Sequence, residues 1–322
     1  GGLLVMKKVF KFVLWLILLL MLVSVGYIFI HWVPDRSVEG LKAEWAKPPS
    51  QFISVSGMQI HLRDEGPKHD ETPVVLLHGT SASLHTWDGW VEALKGERRV
   101  IRFDLPGFGL TGPEAKNDYK VENYARTVMA VLDHLKLESS VIVGNSLGGH
   151  IAWYTALMNP NRFEALVLVD ATGYPFKPES VPIGFMIANT PILNQLMESV
   201  LPRSIVESSV KNVYGNPGLV SDELVSRYFD LTTRAGNRQA LSFRLAQMKP
   251  GTHAKRVKEL KLPTLIMWGD QDRLIPPEIG DLFHQDIKGS QLVRFEHLGH
   301  VPQEEDPVST VMSFKHFLTQ LD

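Results

Sequence analysis

The stretch VIVGNSLGGH, residues 141–150, places a serine between glycines where an apolar run ends and a helical pattern begins. The run 141–143 is short and continuously apolar, which is typical of a strand covered on both faces. A G-x-S-x-G sequence between a strand and a helix predicts a sharp turn that lifts the hydroxyl of Ser146 clear of the backbone. A tight glycine turn with an incidental serine is the alternative, and the strand–turn–helix setting disfavours it.

Further apolar runs alternate with helical patterns along the chain. Strands are predicted at 74–77, 100–103, 165–169, 264–268 and 291–295, after a hairpin at 51–66. Strands that alternate with helices predict a largely parallel α/β sheet. Between about residues 173 and 251 helical segments replace this rhythm, which predicts a helical lid inserted between two core strands. Such a lid would cover the carboxyl edge of the sheet, where parallel sheets bind ligands.

The N-terminal segment is the second decisive feature of the sequence. Residues 12–30 carry no charge and are long enough to span a bilayer as a helix. Because lysines precede this run, the positive-inside rule places the N-terminus in the cytoplasm and the rest of the chain outside. A cleaved signal peptide is the rival interpretation, since Ser24 and Gly26 are small, but the apolar run continues past them. We therefore expect a single-pass anchor, with a periplasmic or extracellular domain that would be secreted if the segment were cleaved.

These patterns divide the chain into five predicted units. Residues 1–33 comprise a short expression remnant before Met6 and then the anchor, and residues 34–50 form a proline-containing stalk. Residues 51–172 and 252–322 are the two parts of the α/β core, and residues 173–251 are the lid between them.

The composition excludes several classes of function. The chain has 322 residues, a formal net charge of -2 and no cysteine. Disulfides, thiolate nucleophiles and cysteine-based zinc sites are therefore excluded. Basic residues form no stripe, so we expect no nucleic-acid partner.

A serine nucleophile needs a base to accept its proton and a carboxylate to orient that base. His300 lies in a loop directly after the last predicted strand, at the edge of the sheet where Ser146 is expected. Asp270 and Asp272 follow one predicted strand and Asp170 follows another. His300 is thus the strongest candidate base, while position alone leaves the choice of acid open.

The loop LLHGTSAS, residues 76–83, follows the first buried strand and reaches the same edge. There the backbone N–H of Thr80 could join that of Leu147, at the start of the helix after Ser146. Two amides in this position form an oxyanion hole for a negatively charged tetrahedral intermediate.

Five segments of the chain resemble motifs of the α/β-hydrolase family and occur in the same order as in that family. They lie at 78–83, 104–109, 144–149, 268–276 and 299–307. They read HGTSAS, DLPGFG, GNSLGG, WGDQDRLIP and GHVPQEEDP, and the resemblance covers most of the chain after about residue 51. It implies the α/β-hydrolase fold, with Ser146 as nucleophile, His300 as base and the amides of Thr80 and Leu147 as the oxyanion hole.

The resemblance also implies which carboxylate serves the histidine. The family's G-x-x-D-x-x-x-P pattern runs here from Gly269 to Pro276, which places the acid at Asp272. In the DLPGFG segment we interpret Asp104 as structural.

The serine narrows the expected chemistry within the family. Haloalkane dehalogenases and epoxide hydrolases of this fold use aspartate at the same turn, so Ser146 argues against both. Esterases or lipases, carbon–carbon hydrolases of the meta-cleavage type, proline iminopeptidases and perhydrolases are left. Carbon–carbon hydrolases commonly show GSGPG where this chain has GTSAS at 79–83. We therefore expect hydrolysis of a small-molecule ester or a lipid, without a metal or an organic cofactor. An acyltransferase or a non-catalytic binding protein on the same fold would also fit these residues.

Overall fold

The centre of the molecule is a mixed sheet in residues 2–321, the part of the chain that this computed structural model describes. Its strands are β1 (Gln51–Val55), β2 (Met58–Glu65), β3 (Val74–Leu77), β4 (Val100–Phe103), β5 (Ser140–Asn145), β6 (Phe163–Val169), β7 (Thr264–Gly269) and β8 (Gln291–Phe295). Their spatial order is β1-β2-β4-β3-β5-β6-β7-β8. β2 is antiparallel to β1 and β4, and the other neighbouring pairs are parallel. The predicted α/β sheet is therefore confirmed. Gly1, the first residue of the first predicted unit, and Asp322, the last residue of the last one, lie outside the described residues.

The central strands form where the sequence is continuously apolar because both faces of the sheet are covered. Every residue of β3 is buried. Val74 and Leu76 pack into the cluster on one face of the sheet, while Val75 and Leu77 pack into the cluster on the other. A strand of alternating polarity would expose one of these faces, so the apolar run fixes a three-layer arrangement.

Helices form much of the rest of the described chain, including the two layers that cover the sheet and the lid. They are α1 (Gly2–Ile30), α2 (Val38–Trp45), α3 (Asp88–Leu94), α4 (Val121–His134), α5 (Leu147–Met158), α6 (Ile183–Ala188), α7 (Leu193–Met197), α8 (Arg203–Val213), α9 (Asp222–Thr232), α10 (Asn237–Gln247), α11 (Pro277–Asp286), α12 (Pro302–Glu305) and α13 (Pro307–Thr319). Short 3₁₀ turns lie at Leu84–Trp87, Pro160–Arg162, Pro217–Leu219 and Ala254–Glu259. Helices α4, α5 and α11 pack on one face of the sheet, and α3 and α13 pack on the other.

The insertion between β6 and β7 is helical, and α6 to α10 lie within the segment 173–251 that the sequence predicts as a lid. Its α8 and α9 share a small apolar cluster with Val301. That residue follows His300, so the lid packs against the loop that carries the candidate base.

Helix α1 is long and apolar enough to cross a membrane. Its 29 residues correspond to a length of about 43 Å. Each of its side chains that the structure describes is exposed or half-buried. This agrees with a candidate membrane span, because such a surface would otherwise meet water.

The predicted stalk, residues 34–50, differs from expectation. Instead of extending from the domain, the segment forms α2 and packs against the lid. Arg36 and the indole nitrogen of Trp45 both bond to Asp230, at 2.9 and 3.0 Å. Leu41 is buried in a small apolar cluster with Leu110 and with Leu231 of α9. The prolines do keep the helix short, but the side chains between them find partners on α9, and this fixes the segment in place.

Asp104, which directly follows β4, is a buried anchor between three segments. Its carboxylate is 2.8 Å from Nδ1 of His61 and accepts the backbone N–H groups of Leu84 and Leu110 at 2.8 Å each. Burial alone would raise the pKa of Asp104, but attraction and hydrogen bonding to His61 hold that pKa well below its usual range. The ionised carboxylate therefore contributes to stability.

We expect Asp104→Asn to destabilise the domain by about 2–3 kcal/mol, because hydrogen bonds to a buried charge are worth more than neutral ones. A thermal unfolding midpoint lower by about 4–8 °C would report this. The depressed pKa means that the contribution is present above about pH 4 and fades as the pH falls towards the folded-state pKa. The difference in unfolding midpoint between the wild type and Asp104→Asn should thus be constant from pH 8 to pH 5 and become smaller below pH 5. Asp133→Asn, at an exposed ion pair, is the control. A variant as stable as the wild type would contradict the anchoring role.

Candidate active site

Ser146 forms the turn between β5 and α5, with φ 55° and ψ -117°. A positive φ is uncommon for a residue with a Cβ atom and persists only where the surroundings impose it. Here the backbone N–H of Ser146 donates to the carbonyl of Val169 at 3.0 Å. The carbonyl of Ser146 accepts from the amides of His150 and Thr172 at 3.1 Å each. These bonds hold the turn, and the hydroxyl projects into the cavity above the sheet.

Two glycines allow the strand, the turn and the helix to approach one another. A Cβ atom on Gly144 would lie 2.0 Å from the carbonyl oxygen of Gly148. A Cβ atom on Gly148 would lie 2.3 Å from the carbonyl oxygen of Leu77. Both contacts are to backbone atoms that cannot rotate away, so the glycines are required by packing.

Ser146, His300 and Asp272 form a continuous line of hydrogen bonds. Nε2 of His300 lies 2.9 Å from Oγ of Ser146, and Nδ1 lies 2.7 Å from Oδ2 of Asp272. The three residues are only 7%, 4% and 4% exposed, respectively. In this arrangement an imidazole can accept the serine proton while the carboxylate fixes its tautomer.

Asp272 is itself held rigidly in the loop after β7. Its second oxygen, Oδ1, accepts the backbone N–H groups of Leu274 and Ile275 at 2.9 Å each. The loop after β8 brings His300 to it, and the amide of His300 donates to the carbonyl of Val213 at 2.8 Å. Both members of this pair are therefore positioned by the backbone.

The structure places the two other candidate carboxylates in different surroundings. Asp270 forms an ion pair with Arg294 at 2.6 Å on the surface side of the loop. Asp170 is buried beside Asp272 and accepts the amide of Gly269 at 3.2 Å. Burial, followed by the charge of Asp272, raises the pKa of Asp170 well above its usual range. The protonated form of Asp170 is thus favoured beside the pair, and Asp272 is the carboxylate that contacts the imidazole.

The ligand atoms of Asp170, Asp272 and His300 lie within 4.8 Å of one another, which is close enough for a cation. However, Nδ1 of His300 and both oxygens of Asp272 are already hydrogen-bonded. A metal ion would have to displace the bond between them, so this cluster suits a shared proton better.

Thr80 and Leu147 both line the cavity beside Ser146. Within residues 2–321, the backbone N–H of each has no hydrogen-bond partner. The loop lies close to the turn, since a Cβ atom on Gly79 would be 3.1 Å from Cβ of Ser146. Two free amides at this edge can receive negative charge on a substrate oxygen.

His78 holds the loop in this position. Its Nδ1 lies 2.7 Å from the carbonyl oxygen of Gly79, and its Nε2 accepts the amide of Leu105 at 2.9 Å. Burial lowers the pKa of His78, which keeps the ring neutral. A neutral ring can donate at one nitrogen and accept at the other, as both contacts require.

A second set of side chains supports the site, and the sequence did not reveal it. The amide nitrogen of Asn145 donates to the carbonyls of Val169 and His300 at 3.0 Å each, and its oxygen accepts from Gln303 at 3.2 Å. Glu305 accepts the amide of Gly299 at 2.9 Å. Two weak signals in the sequence could have found them, namely the polar residue directly before Ser146 and the polar run QEE at 303–305, shortly after His300.

A cavity of about 840 Å³ opens above Ser146 and is roofed by the lid. Much of its wall is apolar, and the larger side chains include Phe176, Phe185, Met197, Ile205 and Leu241. This volume suits a small organic molecule or an acyl chain.

Comparisons with known proteins agree with this geometry. A sequence model of the alpha/beta hydrolase fold matches residues 72–186 and 220–307. The chain is 30% identical over 289 residues to 2-hydroxy-6-oxo-2,4-heptadienoate hydrolase of Pseudomonas putida, covering 84% of this chain and 97% of that protein. It is 28% identical over 261 residues to Lipase 1 of Psychrobacter immobilis, covering 78% of each.

Solved structures give the same fold. A meta-cleavage product hydrolase of Pseudomonas fluorescens aligns with a TM-score of 0.71 and 25% identity over 84% of this chain and 98% of its own. A membrane phospholipase A aligns with a TM-score of 0.74 and 23% identity over 97% of this chain and 98% of its own. The family match spans more than half of the chain and the curated relative spans most of it, so the chain belongs to the α/β-hydrolase fold family.

Proposed function

We propose that this chain is a serine hydrolase that cleaves carboxylic esters through an acyl-enzyme on Ser146. The observation that carries the proposal is the unbroken line from Oγ of Ser146 through His300 to Asp272, at 2.9 and 2.7 Å. The hydroxyl of Ser146 lies in a large cavity, beside the backbone N–H groups of Thr80 and Leu147, which have no partner in the described part of the chain.

In the first half of the reaction, Nε2 of His300 takes the hydroxyl proton as Oγ of Ser146 attacks the ester carbonyl. Asp272 stabilises the imidazolium that forms and keeps Nδ1 protonated. The carbonyl electron pair moves onto oxygen, where the amides of Thr80 and Leu147 receive it. One such donor is worth about 3 kcal/mol in the barrier.

In the second half, the intermediate collapses and the bond to the alkoxide breaks. His300 gives its proton to that alkoxide, which leaves as the alcohol. The same ring nitrogen then takes a proton from water, and the hydroxide attacks the acyl-enzyme. When the second intermediate collapses, the acid departs and the proton returns to Ser146.

Ester chemistry is favoured over its rival by the walls of the site. The apolar lid surface suits an acyl chain, and the oxyanion loop has the sequence GTSAS at 79–83. The lipase relative supports the same choice. The second candidate is hydrolysis of a carbon–carbon bond, which the name and 30% identity of the Pseudomonas putida relative favour.

We further propose that α1 anchors the enzyme in a membrane, with the catalytic domain outside the cytoplasm. The chain that leaves α1 bonds directly to the lid, because the amide of Val33 donates to Ser199 at 2.7 Å and the amide of Leu201 to His31 at 3.0 Å. Nearby lid residues expose apolar side chains, namely Ile183, Met186, Ile192, Leu193 and Leu196. The lid would then lie at the bilayer surface, which suits a lipid ester.

Activity against p-nitrophenyl esters from acetate to palmitate tests the reaction. We expect turnover by the wild type and a loss of at least about 10³-fold in kcat for Ser146→Ala, because the attacking group is gone. Ser139→Ala, at a half-buried serine that does not line the cavity, is the matched control and should keep full activity. The preferred chain length would measure how much of the cavity the acyl group fills.

A wild type that is inactive on every ester would contradict ester hydrolysis. Turnover of a 2-hydroxy-6-oxo-dienoate by that same preparation, again lost in Ser146→Ala, would move the carbon–carbon hydrolase ahead. Equal activity of wild type and Ser146→Ala would contradict both candidates.

The two buried carboxyls should respond differently to amidation. Asp272→Asn should lower kcat by about 10⁴-fold, because the imidazole is left in the wrong tautomer. Asp170→Asn should keep kcat within about threefold of the wild type at pH 7, because the raised pKa of Asp170 favours its protonated form, which an amide resembles in shape and charge. Because the pKa of Asp170 is raised in the folded state, this carboxyl lowers the free energy of unfolding at any pH above its unfolded-state pKa. Asp170→Asn should therefore unfold at the same temperature as the wild type or a higher one. A decrease in kcat for Asp170→Asn as large as that for Asp272→Asn would contradict these roles.

A further inference from the structure

Arg244 is a buried cation on the cavity wall. It lies on α10 of the lid, is 6% exposed and lines the same cavity as Ser146. Among residues 2–321, no carboxylate lies within 4.0 Å of its guanidinium. The polar contact that the structure gives it is Sδ of Met248 at 3.8 Å, and its Nε has no partner there.

Other buried arginines of the chain are paired. Arg102 bonds to Glu65 at 3.2 Å, and Arg238 bonds to Asp35 at 2.8 Å. A charge removed from water costs several kcal/mol unless a counter-ion compensates it. Arg244 lacks that compensation within the described chain, and the space beside it is the substrate cavity.

Neighbouring groups do not supply the missing charge. Glu122 also lines the cavity, but its Oε1 is bonded to Nε2 of His253 at 2.7 Å. The hydroxyl of Tyr124 donates to the carbonyl of Pro106 at 2.8 Å. The nearby titratable groups are therefore engaged elsewhere.

His150 adds a second polar atom to this wall. It lies one turn after Ser146 on α5, and its ring stacks on Trp153 with 4.9 Å between centroids. Its Nε2 is buried without a partner among the described residues. Burial and the charge of Arg244 lower the pKa of His150 to about 4, so the ring is neutral at pH 7. Of these two buried groups, Arg244 is therefore the one that carries a charge at pH 7.

We propose that Arg244 binds an anionic group, a carboxylate or a phosphate, that the ester substrate carries away from its scissile bond. A guanidinium binds either anion through two parallel hydrogen bonds. The bound anion would supply the counter-ion that residues 2–321 do not provide. This inference deepens the proposed function and rests on it for the nature of the scissile bond.

Binding to Ser146→Ala in nonionic detergent tests the inference without turnover. The probes are monomethyl and dimethyl esters of dicarboxylic acids from succinate to sebacate, and methyl ω-phosphonoalkanoates of the same lengths, measured by calorimetry. At one chain length we expect the charged probe to bind about 10–100-fold more tightly than its uncharged partner. Comparison of the carboxylate and phosphonate arms identifies the preferred anion.

The tighter binding of charged over uncharged probes should vanish in Ser146→Ala/Arg244→Met and persist in part in Ser146→Ala/Arg244→Lys. Lys249→Met in the same background is the matched control, because Lys249 is an exposed cation that also lines the cavity. It should leave the preference unchanged. Arg244→Met should unfold at the wild-type temperature or higher, since replacing an uncompensated buried charge with an apolar side chain relieves its burial cost.

Equal binding of charged and uncharged probes at every length would overturn the inference. The inference would also be overturned if the Arg244 and Lys249 variants lost the preference for charged probes equally. That result would indicate only a diffuse electrostatic attraction between the probe and the cavity. A lower unfolding temperature for Arg244→Met, with equal loss for both kinds of probe, would assign Arg244 a structural role instead. Because Ser146→Ala is used throughout, an inactive wild type in the ester assay would contradict the proposed function and leave this result standing.

Discussion

The turn at Ser146 is the constraint around which the rest of the structure is arranged. A serine held at φ 55° needs its strand and helix to meet at a distance that only glycines on either side permit. That geometry fixes where Oγ lies. It also leaves the first amides of α5 unpartnered at the same point, since the opening N–H groups of a helix have no intrahelical acceptor. The strand and helix layers keep this turn rigid, and the loops after β3, β7 and β8 complete the site.

The lid and the histidine loop behave as one packed unit in this structure. Glu305 accepts the amide of Gly299, next to His300, and also those of Gly215 and Asn216 in the lid, at 2.9, 3.0 and 2.8 Å. One carboxylate thus joins the loop that supplies the base to the wall that shapes the cavity. Changes in the lid are therefore expected to affect the position of His300 as well as the fit of a substrate.

The sequence predicts most of the fold because buried parallel strands are continuously apolar, and the bounds of β3 and β4 follow directly. It does not predict that residues 34–50 pack on the lid, because those contacts join residues nearly two hundred positions apart, such as Arg36 and Asp230. At the site, motif and order indicate Ser146 and His300. Position alone leaves the acid open, since Asp170, Asp270 and Asp272 all follow strands of the same sheet. The pattern shared with the family implies Asp272, and the distances in the structure put that carboxylate against the imidazole. Arg244 belongs to no sequence motif, and it is identified only by its burial without a carboxylate partner among residues 2–321.

Covalent trapping of Ser146 tests the central claim most directly. A reactive phosphonate ester adds to an activated serine and gives a stable adduct, which mass spectrometry of the peptide 137–162 can localise. The account predicts one adduct per chain, on Ser146, absent in Ser146→Ala and slowed at least about 10³-fold in His300→Gln. A folded chain that takes up no adduct, or takes it up at another residue, would contradict the acyl-enzyme mechanism.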